Sequence, residues 1–247
     1  MKKLILTALM MVGVVPLCVA EDYDRVAASF DCSFLSPNRE CSTILNSSET
    51  LHMVGGAFNY VHGFQLGEVT FLEAGVSMGA LTGNSEELTL DNGTMLKEKF
   101  SNVNLQVPLN LVYRFPLSDK ISLSAFAGLV GKYNLSYKVK TTGSGPDGHL
   151  SHTIDLLSDT SRGMNKNTVW HRLQAAWQIG LGLNIKKYYV GISGGTDIIP
   201  VYSRSKATIN SASLKVTLGY TFRIGSKKSS PRPSHPKSMA APKSLTQ

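Results

Sequence analysis

The chain has 247 residues and a formal net charge of +8, with 17% charged residues and 22 glycines. Two of its 25 basic residues lie before position 21 and five lie after position 224, whereas all 17 acidic residues lie between these positions. The middle of the chain is therefore close to neutral, and the composition excludes the basic stripe that nucleic-acid-binding domains carry.

The first 20 residues predict a secretory signal peptide. Two lysines precede an apolar stretch that runs to position 19, and small residues stand immediately before Glu21, as a cleavage site requires. The stretch is short for a transmembrane helix, and Pro16 interrupts it. Cys18 offers an alternative, a lipid anchor, but the residue before it is Leu17 and not a small residue, so simple cleavage is favoured.

Two cysteines remain after cleavage, Cys32 and Cys41. Export to an oxidising compartment favours a disulfide that closes the short loop between them. The alternative is two unpaired thiols, with Cys32 serving as a small apolar residue on a strand. The spacing does not indicate a metal site, and the pair His149 and His152 is more typical of a polar loop than of metal ligands.

Apolar residues alternate with polar ones along most of the remaining chain, which is the period of a β-strand. The clearest run covers 103–115, where Leu105, Leu109 and Leu111 share one face and Asn104, Gln106 and Asn110 share the other. Eight such runs predict eight strands, several longer than the ~9–11 residues needed to cross a bilayer. They cover 25–34, 54–66, 72–80, 103–115, 121–139, 169–185, 188–198 and 213–224.

The predicted connections alternate in length. Three are tight, at 67–69, 116–120 and 186–187, and three of the intervening ones are long, at 35–51, 82–97 and 141–168, whereas a fourth at 203–205 is short. Outer-membrane barrels have tight periplasmic turns and longer external loops. The asymmetry therefore predicts that both chain ends are periplasmic, as an even number of strands requires.

Alternation also fits a soluble barrel that binds an apolar ligand, or a sandwich, so the less apolar face decides between them. That face is rich in Gly, Ser and Asn and sparsely charged, which suits a narrow interior better than a solvated surface. Aromatic residues near the strand ends of the apolar face are typical of the girdles at membrane interfaces. The predicted lumen network comprises Glu73, Arg114, Lys132, Arg172, Asp197 and Lys215.

These observations predict an all-β fold, an eight-stranded antiparallel up-and-down transmembrane β-barrel over residues 21–224. A barrel of this size is just wide enough for side chains to fill it, so an open channel is not expected. Residues 225–247 are rich in Ser, Pro, Lys and Ala and predict a disordered basic tail. The tail is either a solvated end or a periplasmic tether to anionic lipid or the cell wall.

Several short motifs resemble the outer-membrane β-barrel families of the Bacteroidota, with PorT-like and OmpA-like barrel domains as relatives. The motifs are Val-Pro-Leu at 107–109, Tyr-Arg-Phe at 113–115, Gly-Leu-Gly-Leu at 180–183 and Leu-Gly-Tyr-Thr-Phe at 218–222. The resemblance implies that the aromatic residues closing the last strand, Tyr220 and Phe222, form an assembly signal for the barrel-insertion machinery.

The sequence contains no catalytic or cofactor-binding signature. Ser151, His152 and Asp155 lie too close in sequence to converge as a triad. The favoured function is therefore a non-enzymatic surface protein in contact with outer-membrane lipid, whose loops 35–51 and 141–168 bind a surface ligand or an envelope protein. An envelope-assembly or secretion accessory is the alternative, and a lipid-modifying hydrolase is a weaker third.

Overall fold

The computed structural model describes residues 22–45, 50–85, 88–89, 94–145, 148–158, 169–204 and 206–223. The predicted signal peptide and basic tail lie outside these ranges. The elements in chain order are β1 (Tyr23–Pro37), α1 (Arg39–Leu45), β2 (Leu51–Gln65), β3 (Thr70–Asn84), β4 (Leu88–Thr89), β5 (Met95–Ser118), β6 (Ile121–Gly145), β7 (Gly148–Asp155), β8 (Val169–Trp170), β9 (Leu173–Ile185), β10 (Tyr188–Asp197), β11 (Tyr202–Arg204) and β12 (Ala207–Arg223). No helix within the described ranges is long and apolar enough to cross a membrane.

Eight long strands form a closed antiparallel ring. Their order is β1, β2, β3, β5, β6, β9, β10 and β12, and β12 pairs back onto β1 over its whole length, from Tyr23↔Arg223 to Pro37↔Ile209. Each neighbour in the ring is the next long strand in the chain, which is the up-and-down topology. The predicted eight-stranded barrel is confirmed.

The alternation of apolar and polar residues in the sequence corresponds to an alternation of exposed and buried side chains in the structure. On β5, the odd residues from Leu105 to Phe115 point outward and expose 41 to 57% of their surface, whereas Asn104 and Asn110 point inward and expose only 4 and 5%. The other ring strands repeat this pattern with outward side chains that include Phe30, Phe58, Val76, Leu129, Trp177, Ile179, Ile192 and Leu218. An apolar belt therefore surrounds a polar lumen, the reverse of a soluble barrel.

A β-bulge changes the faces of β6 partway along the strand. Val103 pairs with Ser136 while the next residue, Asn104, pairs with Asn134, so Leu135 is one extra residue in β6. A single extra residue turns every later side chain to the other face. The alternation of the predicted run 121–139 assigns Tyr137 and Val139 to the apolar outward face together with Leu135. That assignment is wrong, because both side chains point inward and expose only 3 and 8%.

The connections at the end of the barrel opposite the tight turns are more ordered than the sequence predicts. The predicted loop at 82–97 contains β4 and the start of β5, and the predicted loop at 141–168 contains the end of β6 and all of β7. Residues 95–102, 137–145 and 148–155 form three hydrogen-bonded segments that we call the projecting sheet. β8 pairs with β11 and not with β9, so the barrel strand begins at Leu173 and not at position 169.

Two small apolar clusters close the barrel ends. At the loop end, an apolar cluster exposes 2 to 7% of the surface of its side chains and consists of Leu35, Met53, Tyr137, Leu157 and Val201. At the turn end, Tyr23, Phe71 and Val112 pack against Phe126. The space between them is polar and contains the charged residues described below.

Replacing Leu109 with arginine tests the outward face. Leu109 lies in the middle of the outward apolar row of β5, so a charge there should cost about 2–4 kcal/mol of unfolding free energy in lipid vesicles. Leu117→Arg is the matched control, because Leu117 is an exposed leucine at the turn end of the same strand and its replacement should cost about 0–1 kcal/mol. Equal losses for the two variants, measured by denaturant titration, would contradict the assigned belt.

Candidate functional site

The turn-end half of the lumen is built around an ion pair between β1 and β3. The Arg25 guanidinium donates to both carboxylate oxygens of Glu73, each at 2.8 Å, and the side chains expose 7 and 4%. The Tyr23 hydroxyl donates to the same carboxylate. Strand alternation places all three side chains on the inner face, and antiparallel pairing through β2 brings them together from positions about 50 residues apart. Both bonds come from one nitrogen, Nη2 of Arg25, and the two opposite charges form a charge-neutral plug in the lumen.

Aromatic rings surround this ion pair. The guanidinium of Arg25 lies 3.9 Å from the ring centroid of Tyr189, and that of Arg114 lies 4.7 Å from Tyr23 and 4.4 Å from Phe71. Cations over aromatic faces are stabilised by the ring quadrupole.

Glycine makes room for one of these rings. A Cβ atom at Gly182 or Gly191 would lie 2.4 Å from the Tyr189 side chain, so the ring fits only because both positions lack one.

The loop-end half of the lumen contains two further ion pairs. The Lys132 ammonium lies 2.9 Å from Oδ1 of Asp197, whose side chain is fully buried and whose Oδ2 accepts a hydrogen bond from the Ser211 backbone N–H. The Lys215 ammonium lies 3.5 Å from Asp31 and donates to Oε1 of Gln106 at 3.1 Å. Both of these lysines therefore have an acidic partner, as a low-dielectric interior requires.

A row of amides on the inner face of β5 continues from Gln106 toward the loop end. The Gln106 amide donates to Asn104, Asn104 donates to Asn102, and Asn102 donates to Asn134 of β6, over 2.9, 2.5 and 2.9 Å. Residues two apart on a strand share a face, so the row follows directly from the sequence alternation. The two lumen cavities between these groups measure only about 60 Å³ each.

A much larger space, about 760 Å³, opens at the turn end outside the Arg25–Glu73 pair. Four basic residues contribute to its wall, namely Arg114, Lys120, Lys186 and Lys187, together with Glu68 and Asp119. It is a vestibule that ends at the plug, because the cavity next along the lumen is the 60 Å³ void on the other side of Arg25 and Glu73.

Most of the residues selected from the sequence point into the lumen, but in separate clusters. Glu73 and Arg114 lie at the turn end, and Lys132, Asp197 and Lys215 lie at the loop end. Placing Arg172 in the lumen is wrong. Its side chain is exposed and donates to the backbone carbonyl of Leu157 at 3.1 Å, because β9 begins one residue later and the alternation does not extend to it.

The sequence-based selection omitted Arg25, Asp31, Tyr23 and Tyr189. The alternation of β1 places Arg25 and Asp31 on the polar face, so the sequence contains enough information to assign both residues to the lumen network. Tyr23 and Tyr189 were not found because aromatic residues near strand ends are more typical of the outward girdle. That girdle is present at the turn end, where outward-facing Tyr113, Phe115, Tyr188 and Tyr220 expose 38 to 64%.

The expected disulfide is not formed. Both thiols are free: Cys32 shares the outward face of β1 with Phe30, and Cys41 is buried in α1 beyond the end of that strand. Asn38 caps α1 by accepting the backbone N–H of Cys41 at 2.9 Å, which fixes the helix over the loop end. Burial raises the pKa of the Cys41 thiol.

Ser151, His152 and Asp155 do not converge into a triad. Ser151 and Asp155 point to one face of β7 while His152 points to the other, and Oδ1 of Asp155 accepts the Leu157 backbone N–H. Within the described ranges, no group of three or more His, Cys, Asp or Glu residues is placed to hold a metal ion.

An outward cluster at the turn end consists of Asp24, Tyr60 and His62. The Asp24 carboxylate accepts the Tyr60 hydroxyl at 2.7 Å and lies 2.8 Å from Nδ1 of His62. These contacts satisfy an acidic group that faces the edge of the apolar belt, where an isolated carboxylate would be costly.

Removing the Glu73 charge tests the turn-end plug. Glu73→Gln leaves the buried Arg25 guanidinium without a carboxylate and should lower the free energy of unfolding by about 3–5 kcal/mol. The double variant Arg25→Met with Glu73→Gln removes both charges and should recover part of that loss. Denaturant titration of the refolded barrels measures these two variants and the single variant Arg25→Met, and a double variant that loses the sum of the two single losses would contradict the coupling.

A known protein family matches most of the chain. Residues 24–196 match the family model of an outer membrane protein beta-barrel domain. Among solved structures, the chain is similar to Ail, the attachment invasion locus protein of Yersinia pestis, at 14% identity over 82% of this chain and 100% of that chain, with a TM-score of 0.44. It is also similar to Neisserial surface protein A, at 9% identity over 81% and 97%, with a TM-score of 0.39. OprG from Pseudomonas aeruginosa matches at 9% identity over 83% and 97%, with a TM-score of 0.35. No curated protein sequence matches the chain.

Proposed function

The chain belongs to the outer membrane protein β-barrel family, and from this premise we propose that it is a non-enzymatic barrel with a filled lumen that presents its projecting sheet to a surface partner. The observation that supports the proposal most directly is the contrast between the two parts of the molecule. The lumen is closed by paired charges, whereas the projecting sheet extends two transmembrane strands beyond the apolar belt.

The closed lumen argues against a channel. The Arg25–Glu73 pair spans the lumen at the turn end and the Lys132–Asp197 pair spans it at the loop end, and the two lumen cavities of about 60 Å³ have room for few water molecules. An ion or solute would have to break buried, mutually neutralised pairs in order to pass.

The projecting sheet has the properties of a binding surface. Leu150, Met95 and Ile154 expose 75, 54 and 41% of their surface. Within the described residues, β7 pairs on one side with β6 and leaves its other backbone edge open. An open strand edge with exposed apolar side chains is a template for an added strand or an apolar contact from another molecule.

The orientation that fits this function places the tight turns and both chain ends in the periplasm and the projecting sheet outside the cell. Support comes from the asymmetry of the connections, since the turn-end links are short and every longer link lies at the other end. Tyr220 and Phe222 of β12 then end the barrel at the periplasmic rim, where we propose that the barrel-insertion machinery recognises them.

Trimming the hairpin tests the binding function. Joining Lys140 directly to Thr153 through an Asn-Gly turn removes residues 141–152, and because these two residues are register partners the turn closes the shortened hairpin without strain. Cells that carry the trimmed chain should lose binding to immobilised matrix proteins and glycans, with secretion unchanged. The control variant is Ser151→Ala, which leaves the hairpin and its apolar residues in place.

Heat-modifiable mobility on a gel confirms that the trimmed barrel has folded. Normal binding together with impaired secretion would overturn the proposal in favour of an envelope-assembly or secretion accessory. Altered membrane lipid in a strain lacking the protein would instead indicate a lipid-modifying hydrolase.

A conductance measurement tests the closed lumen. The refolded barrel in a planar lipid bilayer should show no steady ion conductance, because ion pairs lie at both ends of the lumen and side chains fill a barrel of eight strands. A porin in the same bilayer serves as the positive control. Stable unitary steps from the wild-type barrel would contradict a filled lumen.

A further inference from the structure

Three lysines point outward from the projecting sheet just beyond the apolar belt. They are Lys99 of β5 and Lys138 and Lys140 of β6, and all three are exposed. The bulge at Leu135 puts the last two on this face, since without it they would point into the barrel mouth and Tyr137 would point outward. The strand geometry therefore directs the side chains of all three lysines away from the barrel axis.

The three lysines are held close together by strand register. Lys99 pairs directly with Lys140, and Lys138 lies two residues earlier on the same face of β6. Directly opposed residues on one face have Cβ atoms about 4.5–5.5 Å apart, and like charges in such a pair are destabilising. This arrangement is unfavourable unless an anion lies between the two ammonium groups.

The neighbouring strand does not provide that anion. Asp155 of β7 is the register partner of Lys138, but its Oδ1 accepts the backbone N–H of Leu157 at 3.0 Å. Across the described ranges, no ion pair forms at Lys99, Lys138 or Lys140. By contrast, the two lysines of the lumen, Lys132 and Lys215, each have a carboxylate partner.

The position of the three lysines along the barrel axis shows which layer of the membrane their side chains reach. The outward residues of β5 from Val103 to Tyr113 rise about 26 Å for a strand tilted by about 40°, which matches the ~25 Å apolar band of an outer-membrane barrel. Lys99 lies four residues past Val103, which is about 10 Å beyond the belt edge on the same estimate. Flexible lysine stems reach back toward the edge, so the ammonium groups lie in the headgroup layer.

We propose that Lys99, Lys138 and Lys140 bind the phosphate groups of lipids in the leaflet at the loop end of the barrel. This inference requires that the barrel spans a membrane. The identity of the leaflet rests on the orientation that was proposed above. A lipid is favoured over a soluble anion because the three side chains face outward directly above the belt, with the exposed apolar side chains of Leu135 and Tyr133 on the outward face of the same strand below them. A phosphate between Lys99 and Lys140 removes their mutual repulsion and fixes a lipid against the barrel.

The test measures lipid retention by native mass spectrometry. The full mature chain is folded into phosphatidylcholine vesicles that contain a minor fraction of bis-phosphorylated lipid A, or of lipid A with both phosphates removed, and is then extracted. The wild-type barrel should retain the phosphorylated lipid. Because a lysine near an anionic surface is worth about 1 kcal/mol, each of Lys99→Gln, Lys138→Gln and Lys140→Gln should weaken retention about fivefold, and the triple variant about a hundredfold.

The matched control replaces the same three lysines with arginine, which keeps the charge and should keep the lipid. Retention by the Gln variants at the wild-type level, or equal retention of the dephosphorylated lipid by the wild-type barrel, would overturn the proposal. So would complete displacement of the lipid by millimolar inorganic phosphate, which would show a site for free phosphate. The hairpin-trimmed chain keeps all three lysines and should retain the lipid, so a failure of partner binding and a failure of this site are told apart.

Discussion

Closure of the β-sheet is the constraint on which the rest of the structure depends. A strand edge inside a bilayer leaves N–H and C=O groups without partners, and each such group costs several kcal/mol in hydrocarbon. Pairing of β12 with β1 over fifteen register positions removes both edges at once. With the edges removed, the outward face is free to be apolar and the inward face free to be polar, which is the pattern seen on every ring strand.

The number of strands then determines what the lumen can contain. Eight strands enclose a space that side chains fill, so charged residues there are cut off from water and are tolerated only in pairs. Arg25 with Glu73, Lys132 with Asp197 and Lys215 with Asp31 satisfy this condition at different heights. The first two pairs connect strands that are not adjacent in the ring, β1 with β3 and β6 with β10, and so brace the barrel across its interior, whereas Lys215 and Asp31 are register partners on the adjacent strands β12 and β1.

The ring and its two faces could be predicted from the sequence because a period of two is a strong local signal. The identity of the ion pairs could not, because Arg25 and Glu73 meet only through the pairing of β1 and β3 with β2, which no local pattern encodes. The bulge was missed for a related reason. Leu135, Tyr137 and Val139 continue the apolar alternation of β6 without a break, so the sequence gives no sign that the faces change there. Arg172 shows the same limit at a strand end, where alternation was extended one residue beyond the strand.

The bulge at Leu135 also determines which changes of chain length the barrel can accept. Loss of that single residue would restore an unbroken alternation in β6 and move Lys138 and Lys140 into the mouth, while Tyr137 would leave the apolar cluster that it shares with Met53 and Leu157. Insertion or deletion of two residues in the same segment would keep every side chain on its present face and change only the height of the projecting sheet. We therefore expect related chains to differ in the length of this strand by even numbers of residues, because an odd change would move every later side chain to the other face of the sheet.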